Sequence, residues 1–370
     1  MEKLSILPQR VRAAPPGDTQ RTSLARLSII LCPLPVKILP LASAAATPLP
    51  DPPTIDPMAA DMQQVDRVIR QRLSSQVALI NQISSYIVGA GGKRIRPRLV
   101  LLFAQALGFD GPEAHELAAT VEFIHTATLL HDDVVDESSL RRGRATSNAM
   151  FGNAASVLVG DFLYSRAFQM LVSVQRQRVL EVLADATNVI AEGEVLQLMN
   201  MHDPDLSVDE YLRVIRFKTA KLFEASARLG AVLADADAAQ ELACATYGRA
   251  LGTAFQLVDD LLDYEGSSDE LGKNVGDDLR EGKPTLPLLV AMQRATNEEK
   301  ALIRKAIEAG EVERLPDVIA IVRRTGALDA TRQAAEAEAS LARDSIATLP
   351  PSNARAALLE LSVRAVHRSA

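Results

Sequence analysis

Three observations predict an all-α fold for this 370-residue chain. After about residue 61, apolar residues recur at three- and four-residue steps. No stretch alternates with period two for long enough to propose a sheet. The composition is rich in Ala and Leu, lacks Trp and is only 4% aromatic, which favours helix over strand. A hydrophobic content of 48% at this length is enough for a large buried core. The net charge of −7 offers no general basic surface, so nucleic acid is excluded as a partner class. Cys32 and Cys244 lie far apart without metal-ligand spacing, which fits a reducing, cytoplasmic compartment.

The first 57 residues stand apart. They hold ten prolines between Pro15 and Pro57, and Arg10, Arg12, Arg21, Arg26 and Lys37 outnumber the acids. Proline at that density opposes helix and sheet alike. The apolar run Leu27 to Leu41 is cut by Pro33, Pro35, Lys37 and Pro40, short of the roughly 20 residues a spanning helix needs, so no transmembrane segment is expected. A disordered extension, or a true start at Met58 or Met62, is expected over a cleaved targeting peptide. Residues 58–370 read as one helical domain.

That domain opens with a predicted helix from Met62 to Val88, Asp61 serving as its cap, which stops at Gly89, Gly91 and Gly92. GGKRIRP then sets Lys93, Arg94 and Arg96 at the mouth of a helix starting near Pro97, a place suited to anions. Val121 to Gly143 reads as the next helix, with His125, Asp132 and Asp136 on one stripe and Asp133 beside it. Crowded carboxylates are unfavourable without a cation, and hard oxygen ligands suit Mg2+. One such face is more often simply solvated. The pattern returns in FQLVDDLLDY, where Gln256, Asp259, Asp260 and Asp263 share a face, so two helices are expected to turn acidic edges into one cavity. Between them, helices are predicted over Ala155 to Val172, Val179 to Met199 and Val208 to Leu233, the last carrying Lys218, Thr219 and Lys221. Beyond a polar loop holding Lys273 and Lys283, helices continue with breaks at Gly310, Gly326 and Pro350.

The motifs GGKRIRP, EFIHTATLLHDDVVDES, GNAASVLVGDF, AEGEVLQLMN, FKTAKLFEAS, GTAFQLVDDLLDY and GKNVGDDLREGKPTLPL resemble those of the trans-polyprenyl diphosphate synthase family, and most of all its bacterial octaprenyl branch. The resemblance runs from about Asp61 to the C-terminus. It implies an isoprenoid synthase-type helical bundle around a deep central tunnel, a homodimer, and Mg2+-dependent condensation of isopentenyl diphosphate with an allylic diphosphate such as farnesyl diphosphate. Asp132, Asp136 and Asp259 are then expected to hold Mg2+, with Asp133, Asp260 and Asp263 in or near the coordination shell. The family assigns Lys93, Arg96, His125 and Arg142 to isopentenyl diphosphate, and Arg141, Lys218 and Lys273 to the allylic diphosphate, with Lys283 assisting. Thr219 and Gln256 are expected to stabilise the forming cation.

Product length follows from the helix below the first motif. One isoprene unit spans roughly one helical turn of about 5.4 Å. Ala127 and Thr128, one turn below Asp132, are small, which predicts a tunnel open past farnesyl length, with Phe123, Phe162 or Phe168 as its floor. The resemblance to the octaprenyl branch implies an eight-unit quinone side-chain precursor, released with transient membrane contact; solanesyl and decaprenyl products are the neighbouring readings. A noncatalytic partner subunit is disfavoured because no motif carboxylate or cation is missing, and a cyclase because the second motif is another DDxxD.

Overall fold

The computed structural model describes residues 58–88, 91–141, 143–265, 276–310 and 312–367. The expectations for residues 1–57, for Arg142 and for Lys273 lie outside the described residues. Where one helix was predicted from Met62 to Val88 there are two, α1 (Ala59–Leu73) and α2 (Ala78–Val88). Polar side chains build the break by competing for the backbone. Asn81 accepts from Ser75 N at 3.0 Å and donates to Ser75 O at 2.7 Å, while Ser75 Oγ accepts from Val77 N at 3.1 Å. Asp61 is not the cap; it lies in the first turn of α1 and bonds Gln105 of α3 (Ile95–Ala106) and His115 of α4 (Glu113–Val135), both at 2.9 Å.

Helix α4 begins earlier and ends sooner than the predicted span. Asp136 is its C-cap and Glu137 takes φ +50°. A short hairpin follows, Leu140–Arg141 (β1) pairing antiparallel with Arg144–Ala145 (β2). Strands of two residues are too short to leave an alternating signal. Next come α5 (Ser147–Phe151), α6 (Asn153–Ser173) and α7 (Gln177–Asn200), broken near Gln175 and Pro204 where expected. The α8 helix (Val208–Ile215) starts at a Ser207–Glu210 capping box and passes through one π turn, Arg216–Ala220, into α9 (Lys221–Leu233).

The 28-residue α10 (Ala238–Glu265) joins two apolar cores. Cys244, Tyr247 and Leu251 in its first half belong to one buried core with residues of α1, α3, α4, α6, α7 and α9. Leu257, Val258 and Tyr264 in its second half pack with α11 (Asp277–Arg280), α12 (Leu286–Arg294), α13 (Asn297–Ala309), α14 (Leu315–Arg324) and α15 (Ala327–Ser345). The final helix, α16 (Asn353–Val366), is tied to α10 by the Tyr247 hydroxyl, which donates to Leu358 O at 2.5 Å.

Glycines let α7 and α10 close on the π turn from two sides. A Cβ on Gly193 would sit 2.5 Å from Lys218 N, and one on Gly252 2.6 Å from Ala220 Cα. The backbone carrying Lys218 and Thr219 is thereby clamped. Among the described residues no helix is long and apolar enough to cross a membrane.

Candidate active site

A cavity of about 680 Å³ lies between α3, α4, α7, α8, the π turn, the second half of α10 and the segment from Asp277 to Thr285. The helical period brings both acidic motifs to it: Asp132 and Asp136 from one side, Asp259 and Asp260 from the other. Burial pushes the Asp132 carboxyl up, Lys218 pulls it down and Asp136 adds to the rise. Asp133 and Asp263, expected in or near the metal shell, stand behind this wall instead. Asp133 is buried and holds Arg141, which donates to its Oδ1 from Nε at 2.8 Å and from Nη2 at 2.7 Å. Asp263 Oδ2 accepts from Asp278 N at 3.1 Å, at the start of α11.

Cations surround the carboxylates. Lys218 Nζ is 2.6 Å from Glu194 Oε2 and 3.9 Å from Asp132 Oδ1. Lys283 Nζ is 3.1 Å from Asp136 and also pairs with Glu281. Burial opposes the Lys283 charge most, yet Glu281, Asp136 and Asp278 together hold the ammonium well above the ordinary lysine range. Glu194 has the opposite bias: burial pushes its carboxyl up to about 7, with Lys218 resisting and Asp132 adding to the rise.

Lys93, Arg96 and His125 line the same cavity in a second cationic corner. Arg96 Nη1 lies 3.1 Å from His125 Nε2, and its guanidinium sits 4.3 Å from the centroid of the Phe223 ring. Guanidinium can only donate, so Nε2 accepts and the neutral imidazole keeps its proton on Nδ1. The pairing of Thr219 with Gln256 is direct: the hydroxyl donates to Gln256 Oε1 at 2.9 Å rather than to its own helix backbone. Gln256 Nε2 in turn donates to Asp260 Oδ1 at 2.8 Å, and Tyr211 donates its hydroxyl proton to Asp260 Oδ2. Burial pushes Asp260 up to about 7, Asp278 adding repulsion and the two donors pulling back.

Of the proposed length-setting residues, Thr128 lines the cavity together with Leu129, whereas Ala127 and Phe123 are buried in the surrounding core. Phe162 and Phe168 are partly buried against that core. Sequence reasoning passed over Glu194, Tyr211 and Glu281. Glu194 sits inside a quoted motif, AEGEVLQLMN, but its partner Lys218 is on another helix, and nothing local marks the pair.

The chain matches the polyprenyl synthetase family over residues 77–322. It is 56% identical over 311 residues to the octaprenyl diphosphate synthase of Escherichia coli (strain K12), covering 84% of this chain and 96% of that one. The octaprenyl diphosphate synthase of Haemophilus influenzae is 54% identical over 310 residues, covering 84% of this chain and 94% of that protein. Among solved structures, a polyprenyl synthase from Caulobacter crescentus CB15, complexed with calcium and isoprenyl diphosphate, superposes with a TM-score of 0.82 at 48% identity, covering 85% of this chain and 96% of that one. The chain belongs to the polyprenyl synthetase family. The helical class and the enzyme class, a transferase, agree with the expectations drawn from the sequence.

Proposed function

We propose that this protein is a Mg2+-dependent prenyltransferase that adds isopentenyl diphosphate units to an allylic diphosphate, with farnesyl diphosphate as primer, to make all-trans-octaprenyl diphosphate for a quinone side chain. The observation that carries it is one cavity walled by two acidic helix faces, with a separate corner of Lys93, Arg96 and His125 for a second diphosphate. The oxygen donors of Asp132, Asp136 and Asp259 fit a hard divalent cation, and the Caulobacter relative's complex with calcium and isoprenyl diphosphate supports that pairing. When bound, Mg2+ supplies neutralising charge to the departing diphosphate.

The chain's own groups do the rest. Arg141, Lys218 and Lys283 place positive charge around the leaving diphosphate as its C–O bond breaks. Lys93 and Arg96 hold the diphosphate of the incoming unit, with His125 beside them, so that its double bond faces the allylic carbon. Thr219 and Gln256 present oxygen dipoles where the cation forms. The new C–C bond uses the π electrons of isopentenyl diphosphate, and the proton lost from the adduct goes to the released pyrophosphate. Outward-facing Leu158 and Val172 on α6 and Val195, Leu198 and Met199 on α7 support a homodimer, placed in the cytoplasm with brief membrane contact as the product leaves.

The test is the product profile with Mg2+, farnesyl diphosphate and labelled isopentenyl diphosphate. A dominant eight-unit product is expected, with Asp132→Ala falling by at least about 10²-fold. Absence of elongation by the intact protein sinks the reading. A dominant product of another length rejects the octaprenyl assignment.

The acidic wall also predicts a pH effect on the metal-free protein. Glu194 and Asp260, both pushed up to about 7, ionise in the unfolded chain from their ordinary 4.5 and 3.8. Between those values and about pH 7 the folded state binds more protons, so stability falls as pH rises. The stabilisation is complete below the unfolded values and is lost through about pH 7. Melting temperature in a chelator is expected to drop by roughly 5 °C from pH 6 to pH 8, and Glu194→Gln to flatten the slope. A steeper slope in that variant contradicts this account.

A further inference from the structure

Tyr211 and Asp260 are 4% and 3% exposed, and both border the cavity. Both Asp260 oxygens are engaged, Oδ2 by the Tyr211 hydroxyl and Oδ1 by Gln256 Nε2 at 2.8 Å. A carboxylate only accepts, so Gln256 must turn its amide nitrogen to Asp260 and its carbonyl to Thr219, whose hydroxyl donates to Oε1 at 2.9 Å. The chain of donors therefore leaves one rotamer sense for the Gln256 amide. It joins three segments: Tyr211 on α8, Asp260 and Gln256 on α10, and Thr219 on the π turn. Thr219 takes one lone pair of the Gln256 carbonyl, leaving the other for the cavity.

We propose that Tyr211 is a positioning residue, fixing the Asp260 carboxylate as the anchor of the Gln256 amide, so that Asp260 serves Gln256 rather than a metal ion. The proposal rests on the reading of the cavity as a prenyl-transfer site. It divides the second acidic motif: Asp259, one step of about 100° around the helix, belongs to the cation, and Asp260 to the polar scaffold beneath it. With the Tyr211 hydroxyl gone, Asp260 loses the donor on Oδ2, and its carboxyl group is free to rotate away from Gln256. The Gln256 dipole then has no fixed direction when the allylic cation develops, which slows the chemical step and leaves both diphosphate sites intact.

The experiment is steady-state kinetics and Mg2+ titration of the full chain, comparing wild type, Tyr211→Phe, Gln256→Leu and the double variant, with farnesyl and isopentenyl diphosphates. Tyr211→Phe retains the ring and is expected to lower kcat by about 10- to 100-fold, the effect of losing a hydrogen bond to a charged group. KM for each diphosphate and the Mg2+ half-saturation are expected to stay within about threefold, because the Tyr211 hydroxyl bonds Asp260 rather than a residue assigned to either diphosphate or to the metal. In the Gln256→Leu background the same change is expected to alter kcat by less than about threefold, since the group it acts through is absent. A kcat within threefold of wild type, losses that multiply in the double variant, or a KM rise in place of a kcat fall overturns the proposal. Should Tyr211→Phe fail to fold, Asp260→Asn decides: a Mg2+ half-saturation within threefold supports the anchor, and a tenfold rise makes Asp260 a metal ligand and overturns it. A wild-type protein that elongates nothing would instead refute the prenyl-transfer reading itself.

Discussion

Asp133→Ala is expected to reduce kcat/KM for the allylic diphosphate by about 10²- to 10³-fold, although Asp133 does not line the cavity. Its carboxylate is the partner that two Arg141 nitrogens reach, at 2.8 and 2.7 Å, across the turn into the β1–β2 hairpin. Arginine's planar fork is suited to such a pair, and the carboxylate end is buried while the guanidinium remains partly accessible to the cavity. Asp133 and Asp132 raise the Arg141 pKa against the opposing effect of burial, so the guanidinium is charged and aimed before substrate arrives. With the partner gone, Arg141 has many rotamers and must be ordered at the expense of substrate binding. The signature is specific: KM for the allylic diphosphate rises steeply, KM for isopentenyl diphosphate stays within about threefold, and Asp133→Glu restores part of the loss. If both KM values move together, or if neither does, the Arg141 assignment fails. Stability also falls, because α4 loses a buried ion pair, and truncating one partner of such a pair costs about 3 kcal/mol or more where both ends are dry. The partial exposure of Arg141 places the expected loss below that.

Much of the site could be read in the chain because its chemistry is local. Asp132 and Asp136 are one helical turn apart, Gln256 and Asp260 likewise, and a 3.6-residue period is sufficient to place each pair on one edge. GGKRIRP announces a cationic turn by its own residues. What the sequence did not reveal was which side chains Asp133 and Asp260 bond: Arg141 for the first, Tyr211 and Gln256 for the second. Each is an aspartate next to an aspartate, and the partners that set its role, Arg141 and Tyr211, arrive from a hairpin and from a helix 49 residues away. The break between α1 and α2 was hidden for a related reason: the apolar period continues across it, and only the mutual bonds of Ser75 and Asn81 reveal it. The π turn at Arg216–Ala220 leaves no period of its own within five residues, yet it carries Lys218 and Thr219.

That turn also explains the second large effect, expected from a change that adds a single methyl group. Gly193→Ala places a Cβ 2.5 Å from Lys218 N and within 3 Å of the Phe217 carbonyl carbon, both backbone atoms that cannot swing aside as a side-chain tip could. Gly252 likewise brings α10 against Ala220, so the π turn is already in close contact with a second helix. Either α7 moves outward or the turn shifts along its axis. In both cases the Lys218 ammonium leaves its position between Glu194 and Asp132. A displacement near 1 Å at a positioning group costs about 10²-fold in rate, and overpacking of this kind costs about 1–3 kcal/mol in stability. We therefore expect Gly193→Ala to lower kcat/KM by about 10²-fold with helical content retained and a melting temperature lower by roughly 2–8 °C. Lys218→Met in the Gly193→Ala background should then add little, because the ammonium is already out of place, whereas in the wild-type background it should cost as much as the glycine change. Full multiplicative losses in the double variant would show that the two residues act independently, and would detach the close approach of α7 from the placement of Lys218.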